Sequence, residues 1–192
     1  LERSQDPAVQ AVAPKLIQTL ERAIRLCQGT LDFARSRPPR PKLGKIALRP
    51  LIDEVIGALE VGSQPVELIN EVAPGISLRA DADQLHRLFL NLARNALQAM
   101  PEGGRLAFRS RRSGGLAEID VTDTGPGLPR AARERLFEPF AASTSTAGAG
   151  LGLAISREIA RAHGGDLRLL ATGPGGTTFT LQLPIAARRV AA

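Results

Sequence analysis

Asn91 and Asn95 lie four residues apart, and so on one helical face, within an apolar pattern of Leu88, Phe89, Leu92, Ala96 and Leu97. A single amide in such a stripe is commonly structural, whereas two together suit a ligand or a metal. Amide oxygens are hard, neutral donors, fitted to Mg2+ that is also shared with phosphate. Glycines crowd into two further segments, DTGPGLP at 123–129 and GAGLGLA at 148–154, and the second opens directly into a helix. Free amides and the helix dipole at such a start favour an anion. Two familiar phosphate loops are excluded. Counted from Gly148 or Gly150, the sixth position is Leu153 or Ile155, where a dinucleotide fingerprint needs Gly or Ala. Gly44-Lys45 is followed by Ile46, where a P-loop needs Ser or Thr.

The usual acid–base groups offer less. His86 sits in the first turns of a helix without an adjacent carboxylate, and His163 ends a helix before Gly164-Gly165, where a donor favours the last carbonyls; both read as structural. Cys27 is the only cysteine, so no internal disulfide forms, which fits a reducing cytosol. The formal charge is +6, carried by arginines, with lysine only at 15, 42 and 45, and such a surface favours anionic partners. Nucleic acid is not expected among them, because Trp and Tyr are absent and the six Phe are dispersed, leaving no platform for stacked bases.

These residues must be positioned by elements that the patterning predicts. At 192 residues with 43% hydrophobic and 23% charged content, the chain has one ordinary domain plus an appended element. Ala13, Ile17, Leu20, Ile24, Cys27, Leu31 and Ala34 alternate four- and three-residue steps, a heptad seam on a long helix that must pack on another helix. Pro38, Pro39 and Pro41 then break periodicity and predict a stiff, extended linker. Beyond it the spacing predicts a helix over 50–60 and strands over 66–72 and 76–79. A helix capped by Asp81 and Gln84 then runs to Met100, followed by strands over 106–110 and 117–122. A loop-rich stretch over 123–150 follows, then a helix through His163 and a hairpin of strands 167–171 and 177–183. This mixture is α+β. The domain boundaries read as 1–36, 37–45, 46–186 and a tail at 187–192. No apolar run approaches the roughly 18 residues of a membrane helix, and the start at Leu1 with a lone Met100 reads as a piece of a longer protein.

Five segments in order, NLARNALQA at 91–99, DTGPGL at 123–128, LFEPF at 136–140, GAGLGLA at 148–154 and GTTFTLQLP at 176–184, resemble the boxes of the ATP-binding catalytic domain of sensor histidine kinases. That domain lies within the wider group that includes heat-shock chaperone and topoisomerase ATPases. The resemblance implies a two-layer α/β sandwich of the Bergerat type, a mixed sheet with helices on one face. Less specifically, the N-terminal helix is similar to the second helix of the kinase dimerisation and phosphotransfer hairpin.

Carried across by position, the resemblance implies that Asn95 coordinates Mg2+ and that Asn91 supports the same cluster or contacts phosphate. Asp123 accepts a hydrogen bond from the adenine amine, Gly125 and Gly127 admit the backbone to the base beside Leu128, and Thr178 assists through its hydroxyl. Residues 128–147 form a lid held by Phe137 and Phe140, which recloses at Gly148, Gly150, Leu151 and Gly152 over the phosphates. Gln98 and Ser145 stand where many of these kinases place a basic residue, and Arg94 is the candidate to compensate.

Two functions compete with phosphotransfer to a histidine. An ATP hydrolase of the chaperone or topoisomerase branch needs a glutamate where this chain has Asn91, and an amide is no general base. A catalytically weak or dead pseudokinase that binds ATP, or nothing, and signals through its dimerisation helix is the second, motivated by Gln98 and Ser145. For the kinase, the implied partners are a response regulator receiver domain and a second copy paired through the N-terminal helix. The phosphoacceptor histidine lies upstream of Leu1, and the fragment sits in the cytoplasm, free or as part of a membrane-anchored sensor, with no membrane contact of its own.

Overall fold

In the computed structural model, the described residues are 12, 13, 17, 40–60, 65–139 and 150–185. The seam of the N-terminal helix, the linker before Arg40 and the tail at 187–192 therefore lie outside the described residues, apart from those three isolated positions.

The elements follow the chain as β1 (Gly44–Ala47), α1 (Leu48–Gly57), β2 (Val66–Glu71), β3 (Ser77–Ala80), α2 (Ala82–Ala99), β4 (Gly104–Ser113), β5 (Leu116–Asp123), α3 (Arg130–Glu134), α4 (Gly152–Ala162), β6 (Asp166–Gly173) and β7 (Gly176–Pro184). Five strands make one mixed sheet in the order β2-β4-β5-β7-β6, in which β2 and β4 are parallel and the other neighbours antiparallel. A parallel pair needs a long crossover, which α2 supplies. This is the α+β sandwich expected, with helices over one face of the sheet.

Alternation along β5 and β7 separates the two faces. Ala117, Ile119, Val121 and Asp123 are buried on one side, opposite Leu183, Leu181, Phe179 and Thr177 of β7. On α2 the buried stripe of Leu85, Leu88, Phe89, Leu92 and Ala96 meets that face, with Phe89 edge-on to Phe108 at 6.3 Å between ring centroids. The open face carries a polar ladder in which Arg105 pairs with Glu67, Arg109 with Glu71, and Arg111 with both Glu118 and Asp120. Such exposed pairs keep the face soluble more than they stabilise it.

Three differences from the patterning have physical causes. The first helix runs over Leu48–Gly57, not 50–60, because Leu48 is fully buried and its N–H donates to the Ile76 carbonyl at 3.0 Å, while Gly57 ends the helix early. Gly44 and Lys45, read as linker, belong to β1, which pairs antiparallel with β3. The short α3 within the loop-rich stretch has no buried residue and so no periodic signal.

Asp81 does begin α2, its Oδ1 accepting the Gln84 N–H at 3.1 Å. Its Oδ2 also accepts the Lys42 N–H at 2.8 Å, and its own N–H donates to Nε2 of His163 at 3.0 Å. Burial raises the Asp81 carboxyl, but the amides of Lys42 and Gln84 outweigh it and hold the group below its ordinary value. Because Nε2 of His163 accepts, the proton sits on Nδ1, which donates to the Ile159 carbonyl at 2.8 Å. His163 is thus a buried clasp between α4 and α2, as its place before Gly164-Gly165 suggests. No described helix is long and apolar enough to cross a membrane.

Candidate functional site

Asp123 ends the central strand β5 with its side chain on the helix-covered face, only 6% exposed. Oδ1 accepts two backbone amides, from Gly125 at 2.8 Å and from Thr177 at 3.2 Å. Oδ2 has no hydrogen bond to any described residue, so one oxygen is fixed by the backbone and the other is not. Burial raises the carboxyl above its ordinary value, while the Gly125 and Thr177 amides oppose the shift. A desolvated carboxylate is a strong acceptor for an N–H donor.

The surrounding loops press against it too closely for side chains. A Cβ on Gly176 would stand 1.9 Å from the Asp123 carbonyl oxygen. Gly127 has φ near +80°, and a Cβ there would stand 2.3 Å from the Gly173 carbonyl oxygen. The 125–128 loop is therefore seated on the turn between β6 and β7. Leu128, half-buried, seals that contact by donating its N–H to Thr172 Oγ1 at 2.8 Å.

The register corrects one expectation. Thr178 pairs with Thr122 on the open face, where their hydroxyls lie 3.1 Å apart, so its side chain is on the opposite side of the sheet from Asp123. Thr177, 5% exposed, is the threonine on the Asp123 face. The apolar alternation of Phe179, Leu181 and Leu183 held this information, because it assigns odd positions to the core. Thr172 carried no comparable signal.

Asn91 and Asn95 are half-buried on α2, with Arg94 and Gln98 exposed beside them. Gly152, the first residue of α4, faces Asn91, whose Cγ would be 3.9 Å from a Cβ built there. Leu151 is buried at the N-terminal boundary of α4, Gly150 before it has φ near +68°, and no side chain caps the helix. The first turn of α4 thus lies beside Asn91 of α2. Among the described residues no group of three His, Cys, Asp or Glu could hold a metal, so a divalent ion here relies on Asn oxygens and on the ligand's own.

Phe137 is half-buried and edge-on to Phe179, with centroids 6.4 Å apart. The Arg157 guanidinium lies over the Phe137 ring at 4.7 Å and pairs with Asp166, Nε to Oδ1 at 2.9 Å. Sequence reasoning missed Arg157, because neither Phe137 nor Asp166 stands at helical spacing from it. Phe140, Ser145, Gly148 and the 140–147 part of the expected lid lie outside the described residues.

The sequence model of the family described as "Histidine kinase-, DNA gyrase B-, and HSP90-like ATPase" matches residues 80–187. Signal transduction histidine-protein kinase AtoS of Escherichia coli (strain K12) is 30% identical over 191 residues, which is 96% of this chain and 30% of that protein. Full-length ShkA, solved in complex with AMPPNP, superposes with a TM-score of 0.73 at 28% identity over 97% of this chain and 41% of the other. Histidine kinase ThkA, solved in complex with response regulator protein TrrA, superposes at 0.73 with 23% identity over 95% of this chain and 53% of the other, a likeness of fold. The chain spans half or less of the length of AtoS, of Sensor-like histidine kinase SenX3 and of sensor protein DctS.

Proposed function

Since the chain belongs to the histidine kinase-, DNA gyrase B- and HSP90-like ATPase family, we propose that it is the ATP-binding catalytic portion of a sensor histidine kinase. In this reading the γ-phosphoryl group passes to a histidine other than His86 or His163, for relay to a response regulator receiver domain. The observation that carries it is Asp123, a buried side chain with Oδ1 held by two amides and Oδ2 bonded to no described residue. An adenine amine satisfies that oxygen. Guanine presents a carbonyl there and leaves it unpaired, a difference worth about 1.5 to 3 kcal/mol.

The residues fit the group they would hold. Thr177, not Thr178, takes the second polar contact to the base. Asn95 holds Mg2+ through its amide oxygen with Asn91 beside it, and the first-turn amides of α4 receive the phosphates. Bound Mg-ATP supplies the transferable phosphoryl group, and its transfer depends chiefly on positioning and charge neutralisation. Asn91 provides no base for activating water, which favours transfer over hydrolysis. His163 is engaged at both ring nitrogens and is unsuited to accept phosphate. Pairing of two copies through the N-terminal helix and a cytoplasmic location complete the proposal.

Calorimetric titration with ATP, with and without Mg2+, followed by incubation with γ-labelled ATP and a separate phosphoacceptor hairpin, tests it. Mg-dependent binding and acid-labile label on the hairpin are expected. Binding that ignores Asp123→Asn, or label on His86 or His163, would overturn it.

A further inference from the structure

Thr172 and Thr177 face each other in the β6–β7 hairpin, with Oγ1 atoms 3.1 Å apart. They share a face only because of an irregularity in β6. Leu169 pairs with Phe179 on the core side, but the next ladder pair is Ala171 with Thr178, so one extra residue, Leu170, is inserted in β6. An unbroken alternation would direct Ala171 to the core and Thr172 to the open face. The inserted residue reverses the parity beyond it and delivers Thr172 to the side of Thr177 and Asp123. Leu170 itself is 58% exposed, as expected of a residue displaced from the ladder.

The hydrogen bonds then form a chain. The Leu128 N–H donates to Thr172 Oγ1, Thr172 lies against Thr177 Oγ1, and the Thr177 N–H donates to Asp123 Oδ1. A hydroxyl that accepts from an amide becomes a better donor through its own proton. That favours Thr172 donating to Thr177, which leaves the Thr177 proton free to point into the pocket. We propose that Thr172 is a positioning residue that sets the polarity of the Thr177 hydroxyl, so that the pocket offers a donor beside the Asp123 acceptor. Adenine presents the complementary pair, an amine donor and the unprotonated ring N1. The inference rests on adenine occupying the Asp123 site, and it makes the Thr177 contact already proposed there depend on Thr172 of the neighbouring strand.

The test compares ATP with 1-deaza-ATP, in which a C–H replaces ring N1, by calorimetry on the whole chain. The unaltered protein is expected to prefer ATP by about tenfold, the size of one hydrogen bond. Thr172→Ser should keep that preference, and Thr172→Val should reduce it below about threefold while still binding ATP. A Thr172→Val protein that binds both ligands more weakly but keeps the tenfold ratio would reduce Thr172 to a structural contact and overturn the proposal. Should Thr172→Val fail to fold, Thr177→Val must abolish the preference, and a preserved ratio there overturns it equally. Asp123→Asn separates the two readings, since unchanged ATP affinity in that variant removes adenine from the pocket altogether.

Discussion

Arg157 stands over the ring of Phe137 at 4.7 Å while Asp166 holds the same guanidinium from the other side, so a single side chain of α4 joins the turn after α3 to the start of β6. Phe137 in turn rests on Phe179 of β7. The turn after α3, α4 and the start of β6 thus meet at one planar cation. Planarity matters, because a guanidinium can stack and form two parallel hydrogen bonds at once, and an ammonium does neither.

Arg157→Lys should therefore behave as a loss, not as a conservative change. Urea unfolding is expected to show about 1 kcal/mol of destabilisation for Arg157→Lys and about 1 to 3 kcal/mol for Arg157→Ala. Equal stability of Arg157→Lys and the unaltered protein would show that stacking contributes nothing at this position.

Asp166 gives the pair a pH signature. Hydrogen bonding from Arg157 lowers its carboxyl from the ordinary 3.8 to about 2, against the smaller opposing effect of burial. A depressed folded-state value means the contribution is complete above the ordinary value and fades as the pH falls from near 3.8 through about 2. Melting temperatures of the unaltered protein and Asp166→Asn should differ at neutral pH and converge across that window. A constant difference down to pH 2 would place the effect elsewhere.

At Asp123 the shift has the opposite sign. Burial raises this carboxyl, and protonation converts its acceptor oxygen into a hydroxyl. ATP affinity should fall on acidification at a pH above that of an ordinary aspartate. In Asp123→Asn the affinity should start about ten- to a hundredfold lower and lack that step. The same acid step in the asparagine variant would assign it to another group.

Gly75 and Gly127 allow backbone strain to be separated from contact. Their φ values are nearly equal, +79° and +80°, yet a Cβ on Gly75 meets nothing within 4 Å whereas one on Gly127 lies 2.3 Å from the Gly173 carbonyl oxygen. Gly75→Ala should cost about 1 kcal/mol, the strain of the left-handed conformation alone. Gly127→Ala should cost clearly more in chemical denaturation and weaken ATP binding as well. Matching losses would mean that the 125–128 loop yields freely.

Much of this architecture was legible, because amphipathic spacing and caps are local. Asp81 with Gln84 marked the start of α2, and alternating apolar residues marked β5 and β7. What escaped depended on partners distant in the chain. β1 has four residues and becomes a strand only because β3 pairs with it. The facing of Thr177 was readable from parity with Phe179, whereas that of Thr172 was not, since one inserted residue in β6 reverses the count without any glycine or proline to announce it.

β3 receives the chain's incoming segment, β1, along one edge, and Ile185, just past the last strand, forms a bridge to Leu78 of the same β3. Both ends of the domain are therefore fastened to one four-residue strand. The incoming strand enters this antiparallel ladder at Gly44, which is paired with Ala80, the last residue of β3. From there β3 runs without a loop into Asp81, the cap of the helix that carries Asn91 and Asn95. With the Lys42 N–H on Asp81 Oδ2 as well, the chain's entry, its exit strand and the helix of the proposed metal ligands share one anchorage point.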